Sequence, residues 1–492
     1  MFTPRTLLIL EQHGFALLKE AEEQHPAVDS KPAMTLPTDH LPDEVKHVAH
    51  SINGAGGKAM LIGGAVRDSL RTHFGHSDKK PKDFDMEVHG MHPDHLTSHL
   101  STLGKNKVVG EKSFGINKLN KGGHEFDISI PSHASFKQGE HGKADPHMPV
   151  SKAGLRRDFT MNSVAMDPTT GHVHDPQNGI HDIKHKILRH STKDAFEEAN
   201  GNGPIRIMRG AQFAARHGLS VHPKTIELMK KASHRLATSE VASSRVHGEW
   251  KKLITKGHHP SKGLDVLKQS GALKHLHPEL HGMHDDHWDH TKRAMEHAHD
   301  ATHDHAHKEA IRYATLFHKT HAGKSANEVA EHARKHFGVN KGIAAQIGSL
   351  VEHGHKIREL HDSKDKNSPA HVRRLAHSLG SANIDQLAHV AEARHKAGSE
   401  DPHHAGEWLR KQARKHGVHD AAEKPILTGK HLKQLGVKPG PHMGKIMQHV
   451  HGLQLDGHVR SEEDALHHAR RIAHEGGHLS ESNSFYNRIF SS

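Results

Sequence analysis

Two aspartates two positions apart, Asp83 and Asp85, follow a double glycine, Gly63-Gly64, and its trailing Ala65-Val66-Arg67-Asp68. On an extended segment, residues i and i+2 share a face, so both carboxylates point the same way. Paired carboxylates suit Mg²⁺ (or Mn²⁺), hard cations that take oxygen ligands and share them with substrate phosphates. Two such ions activate an attacking hydroxyl and stabilise a leaving oxygen. Glycines after a strand let a backbone approach a phosphate closely. A helix opening there aims free N–H groups at the anion, and Arg67 adds charge. Asp-x-Asp alone is commonplace and Gly-Gly alone is usually a turn. In this order and spacing they are far more specific.

These residues need elements to hold them. Lys58-Ala-Met-Leu-Ile62 reads as a strand ending at the glycines, Val66 to Phe74 as a helix, and Phe84–Val88 and Glu125–Ile130 as further strands, the last stopped by Pro131. Residues 5–24 read as an amphipathic helix and 26–42 as a Pro-containing linker. After Asp194 the pattern turns helical: Pro204–Gly218, Pro223–Leu236, Ser243–Lys256, Pro260–Ser270, a long stretch to about 420, and a last helix from Ser461 to about His474. Arg206, Arg209, Phe213 and Arg216 fall at i, i+3, i+7 and i+10 and so line one helix face. That stripe fits a nucleotide or RNA, or simply a solvated face.

Composition sets bounds. The chain of 492 residues is polar, with mean hydropathy −0.75 and 4% aromatics, which favours small helical modules over one large core. Net charge is +11 with 61 histidines neutral. A basic surface suits a polyanion such as RNA, and it gains charge as histidines protonate near their ordinary pKa of ~6.5. A solubilising surface bias gives the same charge. The absence of cysteine excludes disulfides, thiolate zinc sites and cysteine nucleophiles, and fits a reducing cytoplasm. The short apolar run Leu7–Leu10 is too brief for a signal sequence, and no stretch approaches the ~20 apolar residues of a membrane span.

The block Gly63–Asp68 with Asp83-Phe84-Asp85 resembles the head of the class II (bacterial-type) tRNA nucleotidyltransferase and poly(A) polymerase family. Ser113-Phe114-Gly115-Ile116 and Glu125-Phe126-Asp127-Ile128-Ser129 resemble its next strand pair, and Arg156-Arg157-Asp158-Phe159-Thr160-Met161-Asn162 its Arg-Arg-Asp-Phe-Thr motif. Pro204–Arg209 with Phe213–Arg216 resembles its neck helix. Glu249–Leu280 resembles the body and Leu427–Gly457 the tail of longer members. The resemblance implies an α+β head, a mixed sheet with flanking helices, followed by an all-α neck, body and tail. Its segments would be 1–45 (helix and linker), 46–176 (head), 177–236 (neck), 237–285 (body), 286–400 (a degenerate HD-like domain) and 401–492 (tail). It implies CCA addition to tRNA 3′ ends from CTP and ATP, with poly(A) polymerase as the alternative enzyme and a catalytically weakened RNA-binding protein as the alternative class. It also implies roles. Asp83 and Asp85 would bind catalytic metal, with Asp127 a further acidic group. Gly63, Gly64, Arg67 and Asp68 would frame the triphosphate. Arg157 and Asp158 would contact the nucleotide, Arg206 the base, and Arg209 the phosphates. The partner would be tRNA or another RNA 3′ end. Gly115-Ile116-Asn117-Lys118 stands where bacterial poly(A) polymerases carry a basic Gly-Arg-Arg-Phe run, which favours tRNA.

Two departures stand out. The family has Glu-Asp directly before the Pro-x-Arg of the neck, and that Asp and the Arg read the base together. Here Asn202-Gly203 precede Pro204. Either Glu197 or Glu198 substitutes, or base preference is relaxed. The HD domain of longer members pairs His with His-Asp. Here His290-Thr291 meets His318-Lys319, and an ammonium at the aspartate position repels a cation. No phosphohydrolase activity is expected. His297, His299, His303, His305 and His307 could chelate zinc or nickel adventitiously.

Overall fold

The computed structural model describes residues 28–110, 115–137, 142–299, 305–398 and 404–479. The helix expected at residues 5–24, the Ser113-Phe114 pair and His303 lie outside these, as does the side chain of His305. The chain divides into two compact units. One holds residues 1–249 with 262–278, the other 250–261 with 279–492.

The first unit is built on a mixed sheet of eight strands in the order β1-β8-β7-β2-β3-β6-β5-β4. The strands are β1 (Met34–Thr35), β2 (Lys58–Ile62), β3 (Phe84–His89), β4 (Lys105–Val109), β5 (Ile116–Lys121), β6 (His124–Ser129), β7 (Ala165–Met166) and β8 (His172–His174). Only β3 and β6 run parallel; every other pairing is antiparallel. Position in the sheet follows from residue type. All five residues of β2 are buried, as a central strand covered on both faces requires. The β4 strand alternates exposed and half-buried, as suits an edge. Helix Asp43–Gly54 packs on β2, helix Gly64–His73 on β2 and β3, and helix Pro93–Leu103 on β4 and β5.

The neck helix, Asn202–His217, starts after Gly201 and stops at Gly218, both in the left-handed region that glycine adopts without strain. Its apolar residues Ile205, Ile207, Met208, Ala211, Ala214 and Ala215 are buried. Beside it, Ile187–Leu188 and Ser220–Val221 form a two-stranded parallel ladder.

In the second unit, helices Asp285–His299, His305–Phe317, Ala326–Phe337, Lys341–Glu352 and Ile384–Lys396 pack together. Its core holds an aromatic knot: Phe337 lies 5.1 Å from Trp250, 5.6 Å from Tyr313 and 5.0 Å from Phe317, ring centre to ring centre. Toward its C-terminal end, Leu432, Val450, Ala465 and Ala469 anchor a smaller apolar cluster. Among the described residues, no helix is long and apolar enough to cross a membrane.

Candidate active site

A cleft of ≈ 340 Å³ opens in the first unit where β2, β3 and the neck helix meet. Six arginines (67, 156, 157, 206, 209 and 245) line it against three carboxylates, Asp85, Asp158 and Glu198. That excess of fixed positive charge suits a polyphosphate.

At one wall, β2 ends and Gly63 turns with φ +62°, starting helix Gly64–His73. A Cβ on Gly63 would be 3.6 Å from Asp85 Oδ2, so the bare backbone lies directly against that carboxylate. Asp85 sits within β3, paired with Ile62 on one side and Asp127 on the other. Burial pushes its carboxyl above the usual range; Asp127 and Asp83 add to this, and Arg157 and Lys118 oppose it. Asp83 is exposed and stands immediately before the strand, whose ladder pairing begins at Phe84, and is close enough to repel Asp85.

Oxygen is the only donor type among Asp83, Asp85 and Asp127, the kind of ligand a hard cation takes. Among the described residues, no three His, Asp or Glu groups converge to hold a metal unaided.

A closed ring of contacts holds the opposite wall. Arg67 Nη1 donates to Asn162 Oδ1 (3.0 Å), and Asn162 Nδ2 donates to Asp158 Oδ1 (2.8 Å). Arg209 Nε donates to Asp158 Oδ2 (2.7 Å). The guanidinium carbons of Arg209 and Arg67 lie 5.4 and 5.3 Å from the centre of the Phe213 ring, closing the circuit by cation–π attraction. Burial opposes ionisation of Asp158, but Arg209, Asn162 and Arg206 outweigh it and hold the carboxyl below its usual range. Arg209 is correspondingly raised by Asp158. Asp68 accepts from Arg67 Nε (2.9 Å) and does not line the cleft. Arg157 donates to Glu87 Oε1 (2.8 Å), and Glu87 stands two residues past Asp85 on β3.

Of Glu197 and Glu198, it is Glu198 that reaches Arg206. Arg206 Nη2 donates to Glu198 Oε2 (2.6 Å) and to the Arg156 carbonyl (2.9 Å). Glu198 is 6% exposed and lines the cleft; Glu197 does not line it. Gly203 has no room for a side chain: a Cβ there would meet the Phe196 carbonyl oxygen at 2.3 Å and the Glu198 carbonyl oxygen at 2.7 Å.

Residues 59–189 match the poly(A) polymerase head domain family, and residues 218–283 match a second family described as a probable RNA and SrmB binding site of polymerase A. The chain is 31% identical over 235 residues to a multifunctional CCA protein of Xylella fastidiosa, covering 46% of this chain and 51% of that one. It is 32% identical over 228 residues to a multifunctional CCA protein of Xanthomonas campestris, covering 45% and 51%. It thus spans about half the length of these relatives. In fold it is similar to the Thermotoga maritima CCA-adding enzyme complexed with tRNA CCA (TM-score 0.60, 19% identity, 88% and 97% of the two chains). It is similar also to the Bacillus stearothermophilus CCA-adding enzyme in complex with CTP (TM-score 0.62, 18% identity, 88% and 98%).

Of the expected residues, Gly63, Gly64, Arg67, Asp85, Arg157, Asp158, Arg206 and Arg209 line this cleft, while Asp68, Asp83, Asp127 and Arg216 do not. Sequence reading passed over Glu87, which strand alternation from Asp85 could have flagged, and Asn162, which closed a quoted motif without a role. Arg245, which donates to Asn202 Oδ1 (3.1 Å), left no signal in the sequence.

In the second unit, His290 and His318 do meet, ring nitrogens 3.2 Å apart. Burial pushes His318 down to about 3 and lowers His290, and Lys319 lowers both. Among the described residues, neither this pair nor His297, His299 and His307 belongs to a metal-holding group.

Proposed function

We propose that the chain is a template-independent nucleotidyltransferase that adds C and A nucleotides, from CTP and ATP, to tRNA 3′ ends. The observation that carries this is the Gly63 turn backed by Asp85 at the mouth of an arginine-lined cleft. Mg²⁺ (or Mn²⁺) would be held by Asp83 and Asp85, with Asp127 adjacent. When bound it supplies charge neutralisation and activation of the attacking 3′-hydroxyl. The chain's own groups orient the nucleotide. Gly63 and Gly64 bring backbone against the phosphates, and Arg67 and Arg209, held by Asp158, Asn162 and Phe213, attract them. Arg157 and Asp158 face the nucleotide, and Arg206 with Glu198 faces the base. The head (46–176) and neck (177–236) would carry the reaction, while the basic helical remainder would grip RNA.

The test is incubation with labelled CTP or ATP, Mg²⁺ and tRNA lacking its CCA end. Ordered addition of two C and one A, abolished in Asp85→Ala, is the expected result. A long run of A on unrelated RNA would instead identify a poly(A) polymerase. No incorporation alongside RNA binding would leave a non-catalytic binder.

A further inference from the structure

Strands β3, β6 and β5 lie side by side, and their register sets three charged residues in one row across the sheet. Asp85 is opposite Asp127, and Asp127 is opposite Lys118. Residues paired directly across neighbouring strands share a face and touch. Lys118 Nζ donates to Asp127 Oδ1 (2.8 Å) and to Glu125 Oε1 (2.9 Å), the residue two positions back on the same strand. Lys118 is thus a fixed cation one strand beyond the carboxylates that crowd Asp85.

We propose that Lys118 is a positioning residue that competes with the divalent cation for the acidic row and thereby sets how tightly the metal binds before nucleotide arrives. This rests on the nucleotidyltransferase reading. An ammonium and a divalent cation are rivals for the same carboxylate oxygens, so each weakens the other by its charge alone. Lys118 engages Asp127, which stands directly opposite Asp85 on the neighbouring strand. A nucleotide bringing its own phosphate ligands would overcome the competition, whereas free metal alone would not. The consequence is a site that charges with metal and nucleotide together rather than with metal first.

The test measures Mn²⁺ binding to the full chain without nucleotide, by the loss of the free-ion paramagnetic resonance signal, in wild type, Lys118→Met, Lys118→Arg and Asp127→Asn. Lys118→Met should bind Mn²⁺ several-fold more tightly and Lys118→Arg should match wild type. In the Asp127→Asn background, Lys118→Met should have little further effect. Unchanged or weaker binding by Lys118→Met, or no measurable binding by any variant, would overturn the proposal. Unaltered circular dichroism and melting temperature in Lys118→Met separate charge competition from damage to the sheet. Wild type that binds Mn²⁺ in this pattern but incorporates no nucleotide would defeat the functional reading and leave the competition intact.

Discussion

Replacing Gly203 by aspartate installs the residue that the resembling family carries at this position, and the structure says that it should harm the protein. The Cβ would sit 2.3 Å from the Phe196 carbonyl oxygen, 2.6 Å from its carbon and 2.7 Å from the Glu198 carbonyl oxygen. All three are backbone atoms, so relief requires moving the segment that carries Glu198. Overpacking of this kind costs ~1–3 kcal/mol, and backbone partners place it at the upper end. Two gains oppose it. A carboxylate in the first turn of a helix contributes ~0.3–1 kcal/mol, and losing glycine's unfolded-state freedom contributes ~0.4–1 kcal/mol. The clash wins, by about 1–2 kcal/mol, or a few degrees of melting temperature for a domain of this size. The displaced Glu198 would also loosen its 2.6 Å bond to Arg206. Thermal unfolding of Gly203→Asp, with single-nucleotide incorporation from CTP, ATP and UTP, is the assay. Cytosine and adenine each carry an exocyclic amino donor where uracil has a carbonyl, so a carboxylate beside an arginine favours them. Gly203→Asp should melt lower and select no better than wild type. Glu198→Gln should melt close to wild type and incorporate UTP roughly tenfold more readily, the value of ~1.4 kcal/mol. A Gly203→Asp protein as stable as wild type, or unaltered selectivity in Glu198→Gln, would refute the reasoning.

Three further outcomes are expected. Phe213→Leu removes two cation–π contacts worth about 0.7 kcal/mol each, so KM for the nucleotide should rise roughly tenfold with kcat little changed, measured by steady-state incorporation. The second unit should lose stability on acidification. Burial, His332 and Lys324 push His321 down to about 4, and burial with Arg394 pushes His318 down to about 3. Below the unfolded value of ~6.5 the unfolded chain takes up protons that the folded chain refuses, so each histidine costs up to ~1.4 kcal/mol per pH unit down to its folded pKa. Melting curves from pH 7 to 4.5 check this, and His321→Gln should flatten the slope. Finally, purified protein should not hydrolyse 2′,3′-cyclic phosphates, because Lys319 stands beside His318 where a metal-binding carboxylate would be needed; turnover of such a substrate would contradict that assignment.

Legibility in the sequence followed how local the determinant was. Lys58–Ile62 and Ser243–Lys256 match their expected bounds, because an apolar run closed by Gly-Gly and a continuous helical periodicity are set by neighbours. The mixed head sheet and the helical remainder follow from the same kind of signal. The strand that holds Asp85 begins at Phe84 as expected, and pairing with its partner strands carries it on to His89. Glu198 was one of two candidates until the space at Gly203 and the bond to Arg206 separated it from Glu197. The row Asp85–Asp127–Lys118 was invisible, since strand register joins residues that no short motif connects.

The ring through Arg67, Asn162, Asp158, Arg209 and Phe213 draws on three stretches of chain far apart in sequence. Each member is held by two others, so changing one alters what its neighbours contribute, and their mutational effects will not add. Such a circuit drifts poorly one residue at a time. Across the descendants of a common ancestor these five positions should change rarely, and then in concert. A single swap borrowed from a distant relative should be tolerated less well than the whole set transplanted together.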